Sequence, residues 1–304
     1  MEETRSPSAQ PRPVVRRRRV IYVPGYYPFH ARRYRELYRK ESAAQAAVSG
    51  YEITVSSHGR SDPYSWYADA VMDGTEVTSH ISLLGWSDIV RESMDRGLWQ
   101  TYVQAARTAW VYGSSGALRG VLRLRKGPAI AALYPLLVLL VQLLVALGLA
   151  WGVGRLIGLV APWWIGFAGL AVVPPVLNWF AHHDGKVLAR YLMHNYAFSA
   201  QHGGANPPEL EARMAEFAEI IVAALQSDVD EVLVVGHSSG AHLGVSVLAD
   251  LIRAGRVPSD GPALGFLSLG QVVPMVSFLP EAQRLRTDLQ YLSARDELTW
   301  VDVT

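Results

Sequence analysis

Glu231-Val-Leu-Val-Val-Gly-His-Ser-Ser-Gly-Ala-His-Leu243 is the stretch that decides how the chain is read. Val232 to Val235 is a short apolar run rich in β-branched residues, preceded by the loop-like Ser227-Asp-Val-Asp230. It reads as a buried strand. From Gly236-His-Ser-Ser-Gly240 the chain passes directly into Ala241 to Arg253, whose apolar residues recur at helical spacing. In a strand, G-x-S-x-G and helix sequence the backbone turns so tightly that side chains flanking the serine would collide with it. The pattern predicts Ser238 at the carboxyl end of the strand, its hydroxyl exposed. The helix N-terminus, with the Ser239 N–H first, would aim donors at any developing oxyanion. The competing reading is a chance match to a short pattern.

The segments on either side extend the same alternation. Asn206-Pro-Pro208 opens a helix to Gln226, with Met214, Phe217, Ile221 and Leu225 inward, and this helix feeds the strand. Beyond Arg253, Gly265 to Gly270 reads as a strand and Leu289 to Ser293 as a last one, followed by Ala294 to Trp300. Near the N-terminus, Val20 to Tyr26 is a strand closed by Pro24-Gly25, Phe29 to Val48 a helix, and Tyr51 to Ser56 a strand that ends in the turn Ser57–Pro63. Strand, helix, strand is a parallel unit, so the predicted class is α/β with a mostly parallel sheet. Residues 64–112 read as extra material on that frame. Ser65–Met72 and Val77–Leu84 flank an Asp73-Gly74 hairpin turn, and a helix runs from Trp86 to Tyr112. Asp88 and Arg91, three apart, read as a surface ion pair.

Between these halves the composition changes. Ala129 to Trp151 holds 23 residues without a charge, and its only polar side chain is Gln142. At a helical rise this spans about 35 Å, enough for a bilayer core. The four residues Gly152-Val-Gly-Arg155 read as a turn, and Leu156 to Phe180 is again uncharged, with Trp163, Trp164 and Trp179 near its ends. Residues 128–180 are therefore expected to form a transmembrane helical hairpin that interrupts a domain of 20–127 and 181–304. Arg123, Arg125 and Lys126 flank one side and Lys186 and Arg190 the other, against Arg155 alone at the tip. The excess of positive charge predicts both ends of the hairpin, and the domain with them, on the cytoplasmic side. A hairpin buried in one leaflet is the alternative. Pro174-Pro175 is expected to shorten the second span.

Other features narrow the chemistry. Residues 1–19 are polar and basic, with arginines at 5, 12 and 16–19, and read as a solvated tail with attraction to anionic headgroups as its functional alternative. The 28 basic and 27 acidic residues nearly cancel, so no global field points to nucleic acid. With no cysteine the chain has no disulfide, thiolate metal site or cysteine nucleophile. His182, His183, Asp184 and His194 lack the spacing of a metal site. No metal and no cofactor is expected.

Val20–Tyr26, Gly236–Gly240, Leu267-Ser-Leu-Gly270 and Leu289–Trp300 together resemble the α/β-hydrolase superfamily, in its lipase and esterase branches. The likeness covers roughly residues 20–56 and 208–304. It implies a serine nucleophile, an acid and a histidine, in that chain order. On it, Ser238 would be the nucleophile, the Tyr26 and Ser239 N–H groups the oxyanion donors, and Asp296 the acid. For Tyr26 the competing reading is an ordinary βα turn, and for Asp296 a turn aspartate beside Arg295. If Trp300 marks the segment that precedes the acid, the acid would follow Thr304. No histidine follows Asp296. His30 and His58 end or follow strands but precede the serine, His237 is the variable elbow residue, and His242 lies one turn into the helix. A base beyond residue 304, a substitute from the inserted segment, and a non-catalytic domain all remain open. The expectation is a membrane-anchored serine esterase with a lipophilic ester or acyl-lipid substrate. The alternative is an inactive hydrolase-like scaffold that binds a protein partner.

Overall fold

The computed structural model describes residues 14–28, 30–59, 61–94, 97–124 and 126–303. Residues 1–13, Phe29, Arg60, Asp95, Arg96, Arg125 and Thr304 lie outside the described residues.

Seven strands form one mixed, mostly parallel sheet: β1 Arg17–Val23, β2 Glu52–Ser57, β3 Ser65–Met72, β4 Thr75–Leu83, β5 Glu231–His237, β6 Ala263–Leu269 and β7 Thr299–Val303. Their order is β2-β3-β4-β1-β5-β6-β7. β4, β1, β5, β6 and β7 run parallel, while β3 is antiparallel to both of its neighbours. The fold is therefore α/β.

Three strand expectations change. β1 begins at Arg17, so Arg17 to Arg19 belong to the sheet and not to a tail. Two carboxylates hold its start: Asp230 accepts from the Arg16 and Arg17 N–H groups at 2.8 and 2.7 Å, and Asp228 accepts from the Arg17 guanidinium at 2.6 Å. The β3–β4 hairpin forms about Asp73-Gly74 but is not peripheral. It fills the sheet between β1 and β2, which keep the same direction without touching. Leu289–Ser293 is not a strand. It ends a helix, because Leu285, Asp288 and Leu292 fall on one buried helical face.

The helices are α1 Ala31–Ser49, α2 Ser87–Met94, α3 Leu98–Ser114, α4 Ala117–Leu122, α5 Lys126–Ile157, α6 Val173–His182, α7 Asp184–Val187, α8 Ala189–Gln201, α9 Pro208–Leu225, α10 Ser239–Arg253, α11 Val273–Ser277 and α12 Gln283–Leu292. α9, α10 and α12 cover one face of the sheet, where Ile21, Val23, Val232, Val234 and Phe266 meet Leu243, Val247 and Leu248. α1 covers the other face only over β1 to β4, through Ala31 and Tyr34 on Tyr22, Trp66 and Ile81. The helix expected over Trp86–Tyr112 is not continuous: Gly97 stands extended at φ −63°, ψ 165° and starts α3.

The apolar segment folds back on itself as expected, but not at Gly152–Arg155. α5 runs through those residues to Ile157. Gly154 is a contact and not a turn: a Cβ there would sit 2.5 Å from Gly166 O. The return arm is a 3₁₀ segment, Trp163–Val172, followed by α6. Ile130–Ile157 and Trp163–His182, with mean hydropathies of 2.6 and 1.5, are each long and apolar enough to cross a membrane. The 3₁₀ segment offsets the shorter second arm. Its ten residues rise about 2.0 Å each, so with α6 the arm covers about 35 Å.

Candidate active site

The geometry of the site begins in the sheet. β5 delivers Ser238 at its carboxyl end, and α10 starts at the next residue. Ser238 has φ 54° and ψ −117°, one of three positive-φ residues other than glycine among the described residues. Such a conformation costs about 1–3 kcal/mol and persists only where the surroundings enforce it. They do so here through backbone. A Cβ on Gly236 would lie 2.6 Å from Ala241 Cα, and one on Gly240 would lie 2.6 Å from Pro24 O. The Ser238 N–H donates to Leu269 O at 2.9 Å, which ties the turn to β6. The side chain is half-buried, neither sealed in the core nor fully exposed.

The Pro24-Gly25-Tyr26 corner meets this turn from β1. A Cβ on Gly25 would lie 3.0 Å from Ser238 Cβ and 3.5 Å from its Oγ. Only glycine allows that approach, and it sets the backbone ahead of Tyr26 beside the hydroxyl. Trp86 Nε1 donates to Pro24 O at 2.9 Å and holds the corner from below. The Tyr26 ring is fully buried among Trp86, Tyr191 and Phe198, and its hydroxyl is hydrogen-bonded to Ser93. The Ser239 N–H opens α10, where no intrahelical carbonyl is available to it. Ser238, Ser239 and Tyr26 are thus brought together.

Asp296 is not brought to them. It lies in the turn between α12 and β7, exposed, ahead of the strand's amino end. Thr299 pairs with Gly265, which is level with Leu233, four residues below His237. Asp296 therefore stands more than about 13 Å along the strand direction from the elbow, at the wrong edge of the sheet. The physical reason is the helix found where a strand was expected: Asp296 precedes the last strand instead of following it.

Asp302 occupies the opposite end of β7. It lies in the same row as Ser268 and Gly236, accepts a hydrogen bond from Ser268 Oγ, and Trp300 Nε1 donates to that same Oγ at 2.9 Å. A carboxylate near the carboxyl end of a parallel strand was visible in the sequence as the alternation Trp300-Val-Asp302. It was missed because the strand itself was misplaced. Asn195 was also missed. Its Oδ1 accepts from the buried Ser239 Oγ at 3.0 Å and links α8 to the first turn of α10.

All nine histidines lie among the described residues, and none is hydrogen-bonded to Ser238. His237 stacks on Tyr22 and Tyr27 on the α1 face, and burial pushes its pKa down. His242 is buried within α10, and desolvation lowers it to about 4. His80 is lowered to about 4 by burial and then by Arg19 and His58. His30 caps α1 from an exposed position, and His58 packs edge-on against Tyr67. His182 and His183 bond carbonyls of their own helix. Among the described residues no group of three potential metal ligands occurs. Tyr27 and His237 also line the end of an apolar cavity of about 690 Å³ that runs under α1 along β1 and β5. Comparison with protein-family models, with curated proteins and with solved structures finds no match for this chain.

Proposed function

We propose that the chain is a membrane-anchored serine hydrolase of α/β-hydrolase type that cleaves a carboxylic ester through an acyl-Ser238 intermediate. The observation that carries this reading is the backbone of Ser238, bent to φ 54° and ψ −117° with glycines packed on either side. A binding module gains nothing from such a cost, whereas a nucleophile needs its oxygen clear of the sheet. In the first step Ser238 Oγ attacks the ester carbonyl, the C–O bond breaks, and the alcohol leaves with the serine's proton. Water then attacks the acyl-serine and releases the acid. The Ser239 and Tyr26 amides stabilise the oxyanion in both steps. Asp302, not Asp296, has the place for the acid of the relay.

A lipophilic ester or acyl-lipid fits an enzyme whose chain carries two apolar helices of membrane-crossing length. In this reading the hairpin anchors the domain on the cytoplasmic side, with Arg123, Lys126, Lys186 and Arg190 at its base and Arg155 near its tip. A second reading, a catalytically silent scaffold, draws on one observation: no histidine is hydrogen-bonded to the serine. A serine without a positioned base is a weak nucleophile.

A fluorophosphonate probe separates the two in the membrane-embedded protein. The hydrolase reading requires labelling of the wild type that disappears in Ser238→Ala. No labelling of the folded wild type overturns it in favour of the scaffold.

A further inference from the structure

The hairpin does not leave the body as a free pair of helices. α3 accompanies it. Tyr112, near the C-terminal end of α3, and Ala105, at its middle, share a core with Ala132 and Leu139 of α5. Leu98, at its N-terminal end, packs on the cluster of Ala146, Ala150, Val173 and Leu177, and Tyr102 touches both clusters. α3 therefore runs antiparallel to α5 and reaches the cluster that holds Ala146 and Ala150. Beyond that cluster's Ala150 only seven residues of α5 remain, Trp151 to Ile157, about 10 Å of helix, against a hydrocarbon core of about 30 Å. A hairpin with α3 held in water would enter one leaflet and stop. Measured instead from Ile130, the first exposed large apolar residue of α5, the arm to Ile157 is about 40 Å long, more than the core requires.

The surface of α3 fits immersion. Trp99, Val103 and Trp110 are 61%, 67% and 74% exposed, and with Ala106 they fall within a narrow arc at helical spacing. The only charge on the helix is Arg107, at the edge of that arc, where a long side chain can reach the headgroups. Gln100 turns its side-chain oxygen back to the Gly97 N–H at 3.3 Å. The polar side of α3 faces protein: Thr101 and Thr108 are buried, and Arg190 of α8 donates to Thr101 Oγ1 at 3.3 Å. A tryptophan at each end of an exposed apolar stripe is the pattern of a helix at a membrane interface.

We infer that α3 is a third lipid-contacting element, with its Trp99–Val103–Trp110 stripe set into the same phospholipid bilayer as the hairpin. This rests on the hairpin being a membrane segment, and the occupant of the stripe is lipid and not a protein. The stripe is then joined to the elbow helix, because the inner side of α3 packs on α8, whose Asn195 accepts from Ser239 Oγ.

The absence of native cysteine makes the test direct. Single cysteines replace Trp99, Val103, Leu144 in the hairpin and Val48 on α1, each labelled with an environment-sensitive fluorophore. The labelled proteins are then reconstituted in phosphatidylcholine–phosphatidylglycerol vesicles. At positions 99 and 103, nitroxide lipids are expected to quench as strongly as at 144, and iodide several-fold less than at 48. Iodide quenching at 99 and 103 equal to that at 48, with 144 shielded, overturns the role of α3 and leaves the hairpin standing. Iodide access at 144 as well removes the membrane reading itself.

Discussion

Two places in this molecule press backbone against backbone through glycine, the elbow at Gly236–Gly240 and the hairpin seam at Gly154, Gly166 and Gly169. In the seam a Cβ on Gly169 would lie 2.7 Å from Gly154 N, much as a Cβ on Gly240 would lie 2.6 Å from Pro24 O. The consequences differ. At the elbow the contact is made by a strand corner and a helix start, both locked in the sheet, and it holds Ser238 at positive φ. In the seam two helices approach side by side and no residue is strained: among the described residues, Gly154, Gly166 and Gly169 have ordinary negative-side backbone. Glycine in the first place aims a side chain. In the second it removes bulk so that small residues, Ala146 and Ala150 among them, close an apolar pair. Close approach alone therefore does not single out a candidate site; close approach together with a strained neighbour does.

The sharpest way to break this comparison is Gly240→Ala. The new methyl would meet Val23 O and Pro24 O, backbone that cannot move without parting β1 from α10, so a loss of about 3 kcal/mol or more is expected. Denaturant melts of the detergent-solubilised protein check it, and a midpoint within error of wild type would show that the elbow is not rigid.

Gly169→Ala is expected to cost about 1–3 kcal/mol and to cost it locally, because the two arms can separate slightly. Hydrogen exchange should quicken in α5 beyond Leu139 and in the 3₁₀ segment, while β5 and α10 stay protected. Equal loosening of β5 would mean that hairpin and sheet are one cooperative unit.

The smallest effect belongs to the link between α8 and the elbow helix. Asn195→Ala leaves the buried Ser239 Oγ without its acceptor, at about 1 kcal/mol. In a double-mutant cycle Ser239→Ala should recover part of that loss, since both polar partners are then gone. Strict additivity of the two would remove the coupling between α8 and α10.

Much of the frame was legible because it rests on short-range rules. The β-branched run Val232–Val235 before Gly-His-Ser-Ser-Gly needs no distant partner to read as strand and turn. Asp73-Gly74 likewise marked its hairpin, and the uncharged run from Ala129 marked the apolar arms. The misreadings share a cause. Leu289-Gln-Tyr-Leu-Ser293 has a five-residue window that suits strand or helix, and the choice fell to α10, against whose face Leu285 and Leu292 pack. Gly152–Arg155 looked like a turn because glycine breaks helices in isolation, yet here glycine lets a second arm approach one that continues.

The amino-acid sequence by itself determined the α/β class, the position of Ser238 on a tight strand–helix turn, and the two apolar helices, because sterics and periodicity act within a few residues. Only the tertiary structure decided that the β3–β4 hairpin lies inside the sheet and that Asp302, not Asp296, shares the edge of Ser238. It alone set Gly25 against the hydroxyl and α3 along the apolar arm. Strand order, register and helix docking are settled by contacts between residues far apart in the chain, and no local pattern encodes which partner will be there.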